Sequence, residues 1–273
     1  KEVCLLRMRE MKMDEVKKCE IDILNYFADL CEAEGLKYYL AYGTVLGAVR
    51  HKGFIPWDDD IDVMMPREDF EKVIHIKKNS RYEILSCVTN RNFDAPLAKI
   101  IDKETILYQS YNQVDKKQLG IYIDIFVLDG LPERNMESQV FYKNAERLRC
   151  FWGLSVRKVK SRSRNLMIAV VKTFVSIPFR IMGGNFWSNI LYRYAGKYTY
   201  VDAIYTGVVC FGEGNKKERI KKSDIGTYIF FEDRKYRVPS NWNIYLTNMY
   251  GNYMDLPPLK ERLSKHNFKA YMR

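Results

Sequence analysis

The stretch from Gly43 to Val63 limits the fold and the chemistry of this chain more than any other, because a glycine turn is followed closely by a run of acidic residues. Residues 38–42 are apolar and aromatic, which predicts a strand, and residues 45–50 are predicted to form a short helix. Between them, Gly43 and Thr44 are predicted to form a turn. A glycine lets the backbone approach a ligand closely, and amides exposed at a turn or helix start bind anions such as phosphate. This segment is therefore a candidate phosphate cradle.

Four aspartates occupy five positions, at 58, 59, 60 and 62, around the start of a predicted buried strand at 61–65. Residues two apart in a strand face the same side, so Asp60 and Asp62 are predicted to point together, with Asp58 joining them if the chain is already extended. Like charges held together need a cation, a proton or open water, and Mg²⁺ binds carboxylate and phosphate oxygens. The alternative is a solvated acidic loop. Because the acids lead into an apolar strand, we favour a metal site for phosphoryl chemistry.

A further carboxylate is predicted on another strand, at residues 120–128. Three isoleucines alternate along one face of that strand, and Asp124 lies on the other face between two aromatic residues. An unpaired buried carboxylate is costly, so Asp124 is predicted to complete the site of Asp60 and Asp62. Asp129 is a rival for this role, but an Asp-Gly pair at 129–130 is typical of a turn.

Several segments together resemble the LicD family of nucleotidyltransferase-fold proteins, which are relatives of the fukutin group. The segments are Tyr42–Pro66 with its Gly-Thr turn and Trp-Asp-Asp-Asp-Ile-Asp motif, Gly120–Phe126, and Tyr250–Met254 followed by Pro257-Pro258. The resemblance covers most of the chain except roughly 136–200. It implies an α+β fold, with a nucleotidyltransferase-like mixed-sheet core, flanking helices and a helical insertion. The third acid of that fold corresponds by position to Asp124.

Three parts of the chain are predicted from this resemblance and from the apolar patterning. They are a catalytic core at 1–135, a helical insertion at 136–200 that faces a membrane or an acceptor, and a C-terminal part at 201–273 that completes the core. The predicted flanking elements are helices at 14–34, 67–78, 136–159 and 241–249, and strands at 82–88, 97–102, 105–108, 227–231 and 235–238.

The activity that the resemblance implies is transfer of phosphocholine from CDP-choline to a sugar hydroxyl of a cell-surface glycan, of the teichoic acid or lipopolysaccharide type, with release of CMP. Mg²⁺ or Mn²⁺ would be held by Asp60, Asp62 and Asp124, and Asp124 would accept the hydroxyl proton. The predicted substrate-binding residues are Gly43 and Thr44 for phosphate oxygens, Arg50 and Lys99 for positive charge, and Trp57 and Tyr42 for the choline group. Lys99 interrupts an apolar strand, and it either points into the site or faces solvent.

Two other functions compete with this one. The first keeps the fold but uses another nucleotide-linked donor, with a pentitol-phosphate or sugar-phosphate group. The second is a basic protein with an inactive core that binds polyanions or membranes, which the net charge of +11 favours. The clustered aspartates argue against the second, because they would repel a polyanion. A nucleic-acid partner is therefore not expected.

The segment 158–182 allows two interpretations. Its basic residues at 158–164 precede an apolar run at 165–182, which contains Lys172, Pro178 and Arg180 and so is not expected to span a membrane. It is either a buried helix with a solvated basic linker, or a surface segment on an anionic membrane face.

No signal peptide is recognisable, and the six cysteines are scattered without a Cys-x-x-Cys pair, which predicts reduced thiols rather than zinc. We expect a cytoplasmic protein, peripheral to the inner face of the plasma membrane, with a lipid-linked acceptor.

Overall fold

A computed structural model describes most of the chain. The described residues are 8–76, 79–109, 119–156, 166–212, 218–222, 225–263 and 268–273. The helices are α1 (Met13–Ala33), α2 (Tyr42–Arg50), α3 (Arg67–Val73), α4 (Asn135–Val156), α5 (Leu166–Met182), α6 (Gly184–Ala195) and α7 (Trp242–Tyr250), with a 3₁₀ turn at Leu259–Glu261. The strands are β1 (Tyr39–Leu40), β2 (Asp62–Pro66), β3 (Tyr82–Ser86), β4 (Ala98–Asp102), β5 (Thr105–Gln109), β6 (Tyr122–Leu131), β7 (Tyr205–Gly207), β8 (Ile220–Lys221), β9 (Ile225–Phe231), β10 (Arg234–Pro239) and β11 (Phe268–Met272).

The centre of the molecule is a seven-stranded mixed sheet with the order β1-β2-β6-β4-β3. Strand β7 also pairs with β6, and β8 pairs with β7. Strands β2 and β6 run parallel, whereas β1, β4 and β7 pair antiparallel with their neighbours. Helix α1 packs against β4 and β6 through apolar residues spaced three and four apart, among them Val16, Ile23 and Phe27. The predicted α+β class with a mixed sheet is confirmed.

The predicted helices and strands are found with boundaries that shift by a few residues. Helix α3 is shorter than predicted, and β5 pairs with β11 rather than with β4. The Glu232-Asp233 pair forms the turn between β9 and β10, where Glu232 adopts a positive φ of 51°. The described cysteines are free; Cys19, Cys31, Cys87 and Cys210 are buried, and Cys150 is exposed.

The start of α2 differs from the prediction. Strand β1 ends at Leu40, and Tyr42 is already helical, so Gly43 and Thr44 form the first turn of α2 and not a separate turn. The carbonyl of Ala41 accepts hydrogen bonds from the amides of Thr44 and Val45, which closes this turn. The apolar pattern of residues 38–42 predicts a strand throughout, because a local pattern does not show where a short strand ends and a helix begins.

The prediction of a turn at Asp129-Gly130 is wrong. Both residues lie inside β6 and pair with β7 at Gly207 and Thr206. The backbone of residues 198–199 approaches so closely that a Cβ at position 130 would meet its carbonyl oxygens, so the glycine serves a close contact and not a turn. Asp129 is tolerated there because Arg67 forms an ion pair with it.

Helices α4, α5 and α6 pack on one another between the β6 and β7 segments of the chain. Residues 173–182 of α5 expose apolar side chains, so this half of the helix is not buried as one interpretation required. The basic run at 158–164 lies outside the described residues. Among the helices that the structure describes, none combines the length and the hydropathy that crossing a membrane requires. The division into three parts stays a prediction.

Candidate active site

Paired strands bring Asp62 and Asp124 side by side. In the parallel pair of β2 and β6, Asp62 is in register with Asp124, and in the antiparallel pair of β4 and β6, Lys99 is in register with Asp124. Neighbouring strands lie about 4.8 Å apart, and residues in register share a face of the sheet. Two acids and one lysine, each from a different strand, therefore meet on one side of the sheet.

The loop before β2 adds three more carboxylates. Oxygens of Asp58, Asp59 and Asp60 all lie within 4.8 Å of one another, and Asp59 is buried. Asp60 precedes the strand, so strand alternation does not set its direction as the sequence argument assumed. A Cβ added at Gly43 would come within 2.7 Å of the Oδ2 atom of Asp58. Gly43 thus leaves room for an acid of the loop to pack against the start of α2.

The electrostatics of this cluster favour bound positive charge. Burial raises the pKa of Asp62, the neighbouring charges of Asp60, Asp124 and Asp58 raise it further, and Lys99 opposes them. Crowded carboxylates with a raised pKa repel one another unless a proton or a cation intervenes. Carboxylate oxygens are also the ligands that Mg²⁺ and Mn²⁺ prefer. The residues present therefore fit a divalent metal ion.

Lys99 faces the acids and not the solvent. Its ammonium donates a hydrogen bond to the Asp124 carboxylate and lies 3.4 Å from the centre of the Tyr122 ring. Burial lowers the pKa of Lys99, but Asp124 and Tyr122 raise it, and the net shift is upward. The lysine thus stays charged and is paired with Asp124 inside the site.

Thr44 and Arg50 contact the protein itself. Thr44 is buried, and its hydroxyl oxygen accepts a hydrogen bond of 2.9 Å from the amide of Asp62, so it fixes the first residue of β2. Arg50 donates to the carbonyls of Tyr253 at 2.7 Å and Asp255 at 3.3 Å. Both predicted substrate contacts are therefore engaged in holding the site together, Arg50 by tying the loop after α7 to α2.

Two predicted aromatic residues flank the acids in different ways. Tyr42 packs edge-on against Phe126, with ring centres 5.1 Å apart, and its buried hydroxyl has no hydrogen-bond partner among the described residues. Trp57 contacts His51 edge-on at 6.0 Å, and the guanidinium of Arg262 lies 5.4 Å from the centre of its ring. The ring of Trp57 therefore already contacts the guanidinium of Arg262, whereas the hydroxyl of Tyr42 makes no hydrogen bond among the described residues.

Sequence reasoning missed three residues near the cluster. Glu20 of α1 is buried, and its pKa is raised by burial and then by the charges of Asp60, Asp59 and Asp58. Its place on the apolar stripe of α1 is a sequence signal that could have found it. Burial raises the pKa of Tyr250, and Asp62 and Asp58 raise it further.

Glu218, the third missed residue, is buried, and its charge helps to raise the pKa of Tyr42. Nothing in the local sequence pattern marks this glutamate, because only the fold brings it to Tyr42.

Comparison with known proteins agrees with this geometry. Residues 35–151 match the family described as LicD/FKTN/FKRP, nucleotidyltransferase domain. The chain is 29% identical over 273 residues to the lipopolysaccharide cholinephosphotransferase LicD of Haemophilus influenzae, which covers 97% of this chain and 100% of the relative. Over 44 residues it is 46% identical to the human ribitol 5-phosphate transferase FKRP, which covers 16% of this chain and 9% of that protein.

Both relatives are named as transferases of phosphorylated groups. The matched residues 35–151 contain Asp60, Asp62, Lys99 and Asp124, so the family match and the geometry concern the same part of the molecule. Residues 35–151 therefore match a nucleotidyltransferase domain of the LicD family, and the chain is a phosphotransferase that is similar along most of its length to LicD.

Proposed function

We propose that this phosphotransferase moves phosphocholine from CDP-choline to a sugar hydroxyl of a cell-surface glycan, of the lipopolysaccharide or teichoic acid type, and releases CMP. The observation that carries the phosphoryl-transfer part is the meeting of Asp62, Asp124 and Lys99 on paired strands beside the acidic loop. The choline part is supported by the similarity to a cholinephosphotransferase along 97% of this chain.

The proposed metal ligands are Asp60, Asp62 and Asp124, with Asp58 next to them. When bound, Mg²⁺ or Mn²⁺ would neutralise the diphosphate of the donor and stabilise the charge that develops on the departing CMP. The chain contributes the placement of these carboxylates: Thr44 fixes the backbone of Asp62, and Lys99 fixes Asp124 through a hydrogen bond. Such fixed charges act without reorganising during the reaction, which is their main catalytic benefit.

The acceptor hydroxyl must lose a proton when its oxygen attacks phosphorus. Asp124 is the proposed acceptor of this proton, because it lies beside Asp62 in the paired strands and is held in place by a hydrogen bond from Lys99.

A choline head group needs aromatic faces around its quaternary ammonium. Tyr42 and Tyr250 are the proposed contacts, because both lie close to Asp62, and 43% of Tyr250 is exposed to an incoming ligand. Trp57 is less suited than predicted, because Arg262 lies over its ring. The acids themselves add attraction for the positive ammonium.

The second candidate is transfer of ribitol phosphate or a related group from a CDP-linked donor. The local match to the ribitol 5-phosphate transferase favours it, although that match spans 44 residues only. The two functions share the acids and differ in the donor head group.

One experiment separates the two candidates. The purified chain is incubated with Mg²⁺, a glycan acceptor and either CDP-choline, CDP-ribitol or CDP-glycerol, and CMP release is measured with and without EDTA. We expect release with CDP-choline, lost in EDTA and in Asp60→Asn, and kept in Asp22→Asn, which alters an exposed acid of α1. Release from CDP-ribitol alone would favour the second candidate, and turnover that persists in EDTA would contradict the metal proposal.

A further inference from the structure

Helix α5 is apolar on two sides. On its inner side, the ring of Phe179 stacks on Phe151 of α4 at 5.0 Å and contacts Trp187 of α6 at 5.3 Å. The indole of Trp187 also donates a hydrogen bond of 3.1 Å to the carbonyl of Phe179. These contacts fix α5 on α4 and α6, so the opposite side of the helix has a defined direction.

The opposite side is exposed and equally apolar. Phe174 is 67% exposed and Ile181 is 81% exposed, and they lie seven residues apart, which is two turns along one face. We call this surface the outer face of α5, and its residues are Phe174, Val175, Ile177, Ile181 and Met182. A helix of a soluble protein normally turns a polar side to water, and a contiguous apolar surface marks a contact site.

Positive charge borders this surface. Where α5 ends and α6 begins, a cavity of about 600 Å³ is lined by Met182 and Phe186 together with Arg91, Arg193 and Asn92. Asp94 also lines the cavity, so its walls carry two positive charges and one negative charge. Met182 belongs both to the outer face and to the cavity, so the apolar and basic surfaces are continuous.

We propose that the outer face of α5 and the adjoining cavity lined by Arg91 and Arg193 dock on a membrane that contains anionic lipids. The apolar side chains would enter the boundary between head groups and acyl chains, and Arg91 and Arg193 would contact lipid phosphates. A helix with large apolar side chains next to cations is suited to lie in this interface. The net charge of +11 adds a general attraction to an anionic surface.

A second copy of the chain fits this surface less well. A twofold contact places the same patch against itself, so the arginines at the rim of one copy would approach those of the other. Anionic head groups offer the opposite charge, and the acyl region offers a partner for the apolar side chains.

Vesicle sedimentation of the full chain tests the proposal. We expect binding to vesicles of phosphatidylcholine with phosphatidylglycerol, weaker binding to phosphatidylcholine alone, and release at high salt. The double variant Phe174→Ser/Ile181→Ser should bind at least roughly tenfold more weakly, because it removes two exposed apolar anchors. Its matched control is Met136→Ser/Val140→Ser, which changes an exposed apolar pair at the start of α4 and should bind as the parent does. Thermal melting of all variants verifies that each one is folded.

The outcomes that overturn the proposal are distinct. Binding to neither vesicle, or equal binding by the parent and the α5 variant, would exclude membrane docking by this face. A dimer that the α5 variant dissociates, without vesicle binding by the parent, would assign the surface to a second copy. Release from vesicles by excess glycerol phosphate would assign the cavity to free phosphates. CMP release on a soluble acceptor should be the same in the α5 variant and the parent, so failure here is separable from failure of the proposed transfer reaction.

Discussion

Asp102 and Asp62 both carry carboxylates on the central sheet, the first fully buried and the second half-buried, yet their surroundings are opposite. Asp102 accepts hydrogen bonds from Arg81 at 3.0 and 2.7 Å, from the amide of Glu104 at 2.9 Å and from the thiol of Cys19 at 3.3 Å. This acid has its counterion and its donors within the protein, so its charge is compensated without a ligand.

Asp62 instead lies among acids. Asp60, Asp124 and Asp58 all raise its pKa, and Lys99, which opposes them, is already paired with Asp124. The comparison teaches that burial alone does not mark a functional carboxylate in this molecule. What separates the two acids is the local balance of charge, which is neutral at Asp102 and negative at Asp62.

Among the expected effects, the largest is the loss of turnover when the negative charge of Asp62 is removed. Asp62→Asn should reduce turnover by a factor on the order of 10³, because it removes a proposed ligand of the metal ion that would stabilise the transferred group. Its melting temperature should stay or rise, since the substitution also removes repulsion among the acids. CMP release and thermal melting measure the two effects. Full turnover in this variant would contradict a role for Asp62 in the reaction.

Removing the charge of an acid that has a counterion should have the opposite result, namely a loss of stability and not of turnover. Asp129 forms a buried ion pair with Arg67, whose guanidinium also lies over the Tyr192 ring at 4.2 Å. Asp129→Asn should lower the free energy of unfolding by about 3–5 kcal/mol, because it leaves the buried Arg67 with only the exposed Glu71, at 3.7 Å, as a counterion. Denaturant unfolding measures this loss, and turnover per folded molecule should be kept. Unchanged stability would show that the pair is not a structural anchor.

The smallest expected effect is a pH dependence of stability that Asp62 should produce. The pKa of Asp62 is raised above its ordinary value of 3.8, so the folded state holds a proton that the unfolded chain releases sooner. Without metal, the contribution of Asp62 to stability should therefore fall as the pH rises above that value. Mg²⁺ competes with this proton, so its stabilisation should grow with pH and reach about 2.7 kcal/mol at a hundredfold excess over Kd.

Thermal melting with and without Mg²⁺ across this pH range measures the linkage. Asp62→Asn should lose most of the Mg²⁺ effect, whereas Asp22→Asn should keep it. A Mg²⁺ effect that is independent of pH would argue against proton displacement at this cluster.

The sequence by itself determined the parts of this protein that depend on local pattern. The periods of strands and helices explain the spacing of the aspartates, the alternation around Asp124 and the apolar stripe of α1, and they predicted the elements that hold the central acids. The fold class followed from the resemblance to the LicD family. The sequence also marked Lys99 as a lysine inside an apolar strand, but it left open whether the side chain points into the site or faces solvent.

The tertiary structure alone decided the features that depend on partners far apart in the chain. The local sequence predicts a turn at Asp129, because Arg67, which compensates its charge, lies 62 positions away in the chain. Glu218 reaches Tyr42 only through the fold, and Arg50 is engaged by carbonyls of a loop that follows α7. The exposure of α5 likewise depends on which of its two apolar sides α4 and α6 cover. Local pattern fixes which residues can be buried or charged, but only packing decides which neighbours compensate them.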